Sequence, residues 1–198
     1  LGRNTGTMTK PFHAGNAAKN GIAAAMLAQK GFTADESILE NHFGFCSVLG
    51  GEGEYDLALM TKSLGNPFAA VDPGLDIKPY PCCRLTHRCI DAILHIVEEH
   101  HPAAQEVAEV ECQTSHFLPQ ILTHHQPQTP LESKFSMEYC MARALLDGEM
   151  RMAQFTEEKV LDHQAQELLQ RVKYVRPEST EGQRLPEVVT VTLRDGRR

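Results

Sequence analysis

Three short stretches hold the side chains whose types and spacing could move a proton beside an anion. Residues 5–16 read TGTMTKPFHAGN and set Lys10 and His13 among two glycines and a proline. At a helix N-terminus, free backbone N–H groups and the helix dipole favour an anion. Lys10 would add a full charge there and His13 a titratable ring. Residues 77–92 read IKPYPCCRLTHRCIDA. Pro79 and Pro81 impose an extended lead-in. A helix is predicted to open near Arg84, which puts Thr86 and His87 in its first turns, on the kind of rigid element that a catalytic group needs. Residues 132–148 read ESKFSMEYCMARALLDG, where Ser136 is a predicted N-cap and Asp147-Gly148 a stop. Lys134 and Tyr139 flank that helix start. Taken singly, each group has a plainer reading: solvated lysines, a capping or surface histidine, a core tyrosine with its hydroxyl satisfied.

The six cysteines, at 46, 82, 83, 89, 112 and 140, raise the question of a metal or cluster. Zinc and iron–sulfur sites usually space ligands as C-x2-C. The CC-x5-C run at 82–89 does not fit, and His100-His101 and His124-His125 lack a cysteine or carboxylate at suitable spacing. No metal is expected from this spacing.

Several elements must hold these groups. A helix is predicted over 16–30, with Asn16 as N-cap and Gly31 as stop. A second is predicted over 34–49, with Ile38, Leu39 and Phe43 as its apolar stripe, and a short third over 54–64. Residues 65–82 carry four prolines and two glycines and read as a loop or linker. Beyond it the pattern predicts a helix at 84–100, a strand near 105–115, a loop at 116–132, helices at about 136–147 and 157–171, and strands near 172–176 and 187–194. Helices interleaved with separated strands predict an α+β fold: a partial helical bundle over 1–75, then a smaller α+β domain with a small sheet over 76–198.

The bulk numbers suit this plan. The chain has 198 residues, 41% apolar and 23% charged, with a net charge of −7. That balance argues against nucleic acid or an acidic membrane as the main partner. With no apolar run near ~18 residues, no membrane span is predicted. Adjacent Cys82 and Cys83 suit reduced thiols of the cytoplasm better than a disulfide framework. The chain does not start with Met and stops just after the turn signal Asp195-Gly196. It therefore reads as a piece of a longer protein, its last strand lacking the hairpin partner that the turn implies.

In order and spacing, GTMTKPFHAGNAAKNG, KPYPCCRLTHRCIDA and KFSMEYCMARALLDG resemble the MmgE/PrpD family, which includes 2-methylcitrate dehydratase, cis-aconitate decarboxylase and iminodisuccinate epimerase. The resemblance implies a helical domain and an α+β lid with the active site in the cleft between them. It implies a small di- or tricarboxylic acid as substrate and no cofactor. It carries catalytic roles onto Lys10, His87 and Tyr139. His13, Lys78, Arg84 and Lys134 are expected to bind the substrate carboxylates. The expected activity is that of a lyase, a dehydratase of 2-methylcitrate type in propionate catabolism. A decarboxylase, an epimerase or a non-catalytic carboxylate-binding paralogue are the alternatives. A cytoplasmic homodimer is the expected assembly, and this piece alone is expected to be inactive.

Overall fold

The computed structural model describes residues 4–51, 53–114, 118–175 and 186–198. It is an α+β arrangement with helices α1 (Thr9–Gln29), α2 (Phe45–Gly50), α3 (Leu57–Thr61), α4 (His87–His100), α5 (Leu118–Ile121), α6 (Pro130–Ser133), α7 (Met137–Asp147), α8 (Glu157–Val160) and α9 (His163–Leu168). Three strands, β1 (Val107–Gln113), β2 (Val172–Val175) and β3 (Val188–Leu193), form one sheet in the order β2-β1-β3. The chain divides into two compact units. One joins the segment through His13 to Lys78–Arg198, and the other is Ala14–Ile77.

The first unit holds the hydrophobic core. β1 runs parallel to β2 and antiparallel to β3, pairing Val110 with Val172 on one side and with Val191 on the other. A parallel pair needs a long crossover, and here the crossover contains α5 to α9. Helix α7 is its centre: every residue from Met137 to Leu145 is buried. A helix buried on all sides lies inside a core rather than on it. Its two charged residues there are accordingly paired. Glu138 accepts from His125 Nδ1 at 2.7 Å, and Arg143 contacts Asp147 and Asp162 at 2.9 Å each. Ser136 caps the helix by accepting from the Tyr139 N–H, and Gly148 ends it in the left-handed region at φ 66°. Helix α4 packs on α7 and β3 through Cys89, Ile90 and Ile93.

The second unit has a different character. None of the residues of α1 is buried, and Cys46 is the buried apolar residue among those described in Ala14–Ile77. Ile22, Phe32, Phe43, Leu64, Phe68 and Ile77 are all more than half exposed.

Several predicted boundaries are corrected. Helix α1 starts at Thr9 rather than after Asn16, so Lys10 and His13 lie within the helix instead of ahead of it. Pro11 becomes the third helical residue, where its missing N–H costs nothing. The predicted helix over 34–49 reduces to Phe45–Gly50. Asp35 Oδ1 accepts from both the N–H and the hydroxyl of Ser37, and Asn41 Oδ1 accepts from the Phe43 N–H. Such local side-chain bonds compete with helix. The helix predicted over 54–64 contracts to α3, capped by Asp56. The one predicted over 157–171 breaks into α8, α9 and a 3-10 turn at Leu169–Arg171, because Asp162 caps a new start. The predicted loop over 116–132 contains α5 and α6, and its first residues, with 115 and 176 of the predicted strands, lie outside the described residues. The final strand pairs with β1, and the turn at Asp195-Gly196 forms, with the Leu193 N–H donating to the Arg197 carbonyl at 2.8 Å.

Candidate active site

The Lys78–Cys83 lead-in ends in a 3-10 turn, Arg84–Thr86, that runs directly into α4 at His87. Thr86 is wholly buried, and its hydroxyl donates to the Cys83 carbonyl at 2.8 Å, locking the turn. His87 is thereby fixed as the first residue of α4, 6% exposed. It lines an open groove of about 360 Å³ together with Arg84, Leu85, Arg88 and Glu187. The Tyr80 ring meets it edge-on with centroids 5.3 Å apart, and the Tyr80 hydroxyl donates to Asp91 Oδ1 at 2.6 Å.

The electrostatics of His87 follow from this seating. Burial pushes its pKa below the usual 6.5; hydrogen bonds to the backbone of Cys82 and Tyr80 resist that, and the nearby Lys78 charge reinforces it. The Nε2 atom is buried and makes no hydrogen bond. A buried ring nitrogen without a hydrogen bond is costly; Arg143 Nε and the Tyr174 hydroxyl share that condition. A neutral imidazole with an open acceptor is also the form that takes a proton.

Two lysines, Lys78 and Lys134, are tied to this lead-in. Lys78 Nζ donates to the Cys82 carbonyl at 3.2 Å. The Lys134 carbonyl accepts from the Cys83 N–H at 2.9 Å, and its ammonium lies 5.9 Å from the Phe155 ring centroid. Lys10 Nζ lies 5.7 Å from the Phe135 ring centroid, within cation–π range. The loop before Lys10 is held by a close approach. Gly6, at φ 74°, sits where a Cβ would come within 2.3 Å of the His124 ring, and that ring lies 3.0 Å from the Thr5 carbonyl. Contacts thus run from Lys10 through Phe135 and Lys134 to Cys83, and from Cys82 to Lys78 and His87. Arg84 is exposed on the groove.

Two expected residues stand elsewhere. His13 is exposed on α1, and its only described hydrogen bond is at 3.5 Å, to Asn4 Nδ2. Tyr139 is fully buried, and its hydroxyl donates to the Gln154 carbonyl. Burial raises its pKa well above the usual 10.0. In this fold it is a core post, and its hydroxyl is not presented to the groove. Conversely, Tyr80, Asp91, Arg88 and Glu187 were not singled out from sequence. The i, i+4 spacing of His87 and Asp91 on one helix was the available signal for Asp91; Glu187 reaches the groove only through the fold.

Comparison with known proteins places this geometry. The MmgE/PrpD C-terminal domain model matches residues 80–198, and the MmgE/PrpD N-terminal domain model matches residues 2–58. The chain belongs to the MmgE/PrpD family. Among its relatives, the cis-aconitate decarboxylase of Mus musculus is 28% identical over 98% of this chain, and that of Homo sapiens is 28% identical over 98% as well. A cis-aconitate decarboxylase of Aspergillus terreus is 27% identical over 77% of the chain. The chain spans 40% of the length of the first two relatives and 33% of the third. As a member of the MmgE/PrpD family, it carries the Lys78–His87 lead-in almost at the start of the matched C-terminal domain. Among the described residues no helix is long and apolar enough to cross a membrane.

Proposed function

We propose that the protein carrying this chain is a lyase that acts on a small di- or tricarboxylic acid by proton transfer next to a carboxylate, with residues 1–75 contributing to its helical domain and residues 76–198 to its lid. The observation that carries this reading is His87, its Nε2 buried and unpartnered, lining a groove with Arg84 and Arg88 and with the Lys78 charge nearby. Cations bind the substrate carboxylates and hold the charge that builds on them as the neighbouring C–H or C–C bond breaks. His87 exchanges the proton. Lys10 and Lys134, held over the Phe135 and Phe155 rings, are the further cations that the reading assigns to substrate.

Similarity to cis-aconitate decarboxylases favours decarboxylation as the reaction. Loss of CO2 leaves a carbanion, stabilised by the adjacent carboxylate and alkene, which protonated His87 quenches. Dehydration of a 2-methylcitrate-like acid uses the same groups, with a proton removed beside the carboxylate and hydroxide expelled, and the motif resemblance keeps it as the second reading. Full-length protein supplied with cis-aconitate, 2-methylcitrate, citrate and iminodisuccinate decides. CO2 release from cis-aconitate supports the first reading, and alkene formation from 2-methylcitrate supports the second. Turnover of none of the four defeats both.

A further inference from the structure

Tyr80 and Asp91 stand beside His87 with no task in that chemistry. Tyr80 lies in the lead-in between Pro79 and Pro81, which restrict the backbone on both sides of it. Its ring meets the His87 imidazole at 87°, with centroids 5.3 Å apart. Its hydroxyl donates to Asp91 Oδ1 at 2.6 Å, the length of a charge-assisted bond to a carboxylate. Burial and the Asp91 carboxylate push the Tyr80 pKa above the usual 10.0, so the hydroxyl remains a donor at neutral pH. One side chain of the lead-in thus touches α4 twice, at His87 and at Asp91 one turn further on.

Side chains four apart on a helix are neighbours, and a carboxylate at that spacing can pair with an imidazole. This chain does so twice. His95 Nε2 lies 3.4 Å from Glu99 on α4 itself, and His163 Nε2 lies 3.9 Å from Glu167 on α9. His87 and Asp91 have the same spacing in the same order, yet the Nε2 of His87 makes no hydrogen bond and Asp91 accepts from Tyr80 instead. The other charges that face His87 are Lys78 of the lead-in, Arg84 of the 3-10 turn, Arg88 on α4 and Glu187 ahead of β3. The three cations disfavour an imidazolium. Of the two carboxylates, Asp91 is the one on the helix that carries His87, one turn away. Burial lowers the His87 pKa, and the Asp91 charge opposes that through space.

We propose that Tyr80 is a positioning residue for His87: its hydroxyl holds the Asp91 carboxylate away from the imidazole, so that Nε2 stays unpartnered for substrate. The role rests on the reading that His87 exchanges the proton. Released from Tyr80, Asp91 would turn to the ring four residues before it, as Glu99 and Glu167 do. A ring nitrogen would then be occupied, its proton would be held by the carboxylate, and a negative charge would stand beside an anionic substrate. The bond from Tyr80 prevents all three while leaving the imidazole where α4 and the Tyr80 ring seat it.

The test is an NMR titration of full-length protein carrying isotope-labelled histidine, without substrate. The His87 signal is assigned by its loss in His87→Gln. Tyr80→Phe keeps the ring against His87 and removes the hydroxyl. The titration midpoint of His87 should then rise by about 1 pH unit, the effect of an opposite charge brought to hydrogen-bond range. In Tyr80→Phe combined with Asp91→Asn the rise should vanish, because the freed side chain carries no charge; the cycle isolates the pairwise effect. If Tyr80 only packs, Tyr80→Phe lowers the melting temperature and leaves the His87 midpoint in place. An unmoved midpoint overturns the inference, and so does a rise that survives in the double variant. The measurement needs no turnover, so it is separable from the proposed reaction. Unchanged kcat in His87→Ala would defeat proton transfer by His87 and leave the midpoint result standing. If His87 does exchange the proton, its limb of kcat/KM should move with the midpoint in Tyr80→Phe.

Discussion

Among the described residues, His87 is the histidine whose buried Nε2 makes no hydrogen bond. If it carries the proton, His87→Ala in the full-length enzyme should lower kcat by roughly 10²-fold or more; steady-state kinetics with the accepted acid would show it. The pH dependence has a definite sign. In the decarboxylation reading His87 must be protonated to quench the carbanion, and this ring is held below the usual 6.5, so kcat/KM should decline as pH rises through that lowered value. Removing the Lys78 charge, which contributes to the depression, should move the limb upward in Lys78→Ala. The same shift makes the native state bind fewer protons than the unfolded chain, so the stability His87 contributes is present above pH 6.5 and is lost as pH falls through the lower folded value. Tyr139 gives the opposite kind of prediction. Its hydroxyl is spent on the Gln154 carbonyl inside the core, so Tyr139→Phe should cost about 1–3 kcal/mol of stability by orphaning that carbonyl. Its kcat should stay near wild type; a large fall in kcat with unchanged stability would return the residue to the chemistry.

At the scale of elements, α7 shows how a helix can be central and charged at once. Arg143 is 3% exposed and binds Asp147 and Asp162 from inside the core. Arg143→Ala leaves those carboxylates short of a partner. Breaking a buried pair costs about 3–5 kcal/mol. The lower end applies here, because Lys159 still reaches Asp147 at 3.0 Å. Ser136→Ala removes only the N-cap bond to the Tyr139 N–H and should cost about 1 kcal/mol. Urea denaturation of the two variants should therefore rank Arg143→Ala well below Ser136→Ala in midpoint. Equal midpoints would mean that the ion network contributes nothing net.

At the scale of the molecule, the two units differ in how far each can stand alone. The unit containing Lys78–Arg198 buries an apolar core around α4, α7 and the sheet. The Ala14–Ile77 unit leaves Phe43 82% and Ile77 93% exposed. Apolar surface on that scale does not stay in water unpartnered. The 198-residue chain expressed alone should accordingly self-associate. Light scattering after size exclusion would reveal it, and a clean monomer across a concentration series would contradict it.

By itself the sequence determined what local chemistry can determine. Ser136 and Gly148 mark the ends of α7, the Lys78–Cys83 prolines lead into α4, and a β-branched run marks β3, because caps, φ restriction and side-chain period act within a turn or two of the chain. The three motifs likewise made the family resemblance legible. Only the tertiary structure decided the rest. Gly6 against His124 and Lys10 over Phe135 hold the segment that enters α1 at Thr9. The Gln154 carbonyl claims the Tyr139 hydroxyl, and Glu187 arrives at the His87 groove. Each of these depends on partners distant in sequence. Burial and proximity, rather than residue type, settle whether a lysine, tyrosine or thiol is free to act.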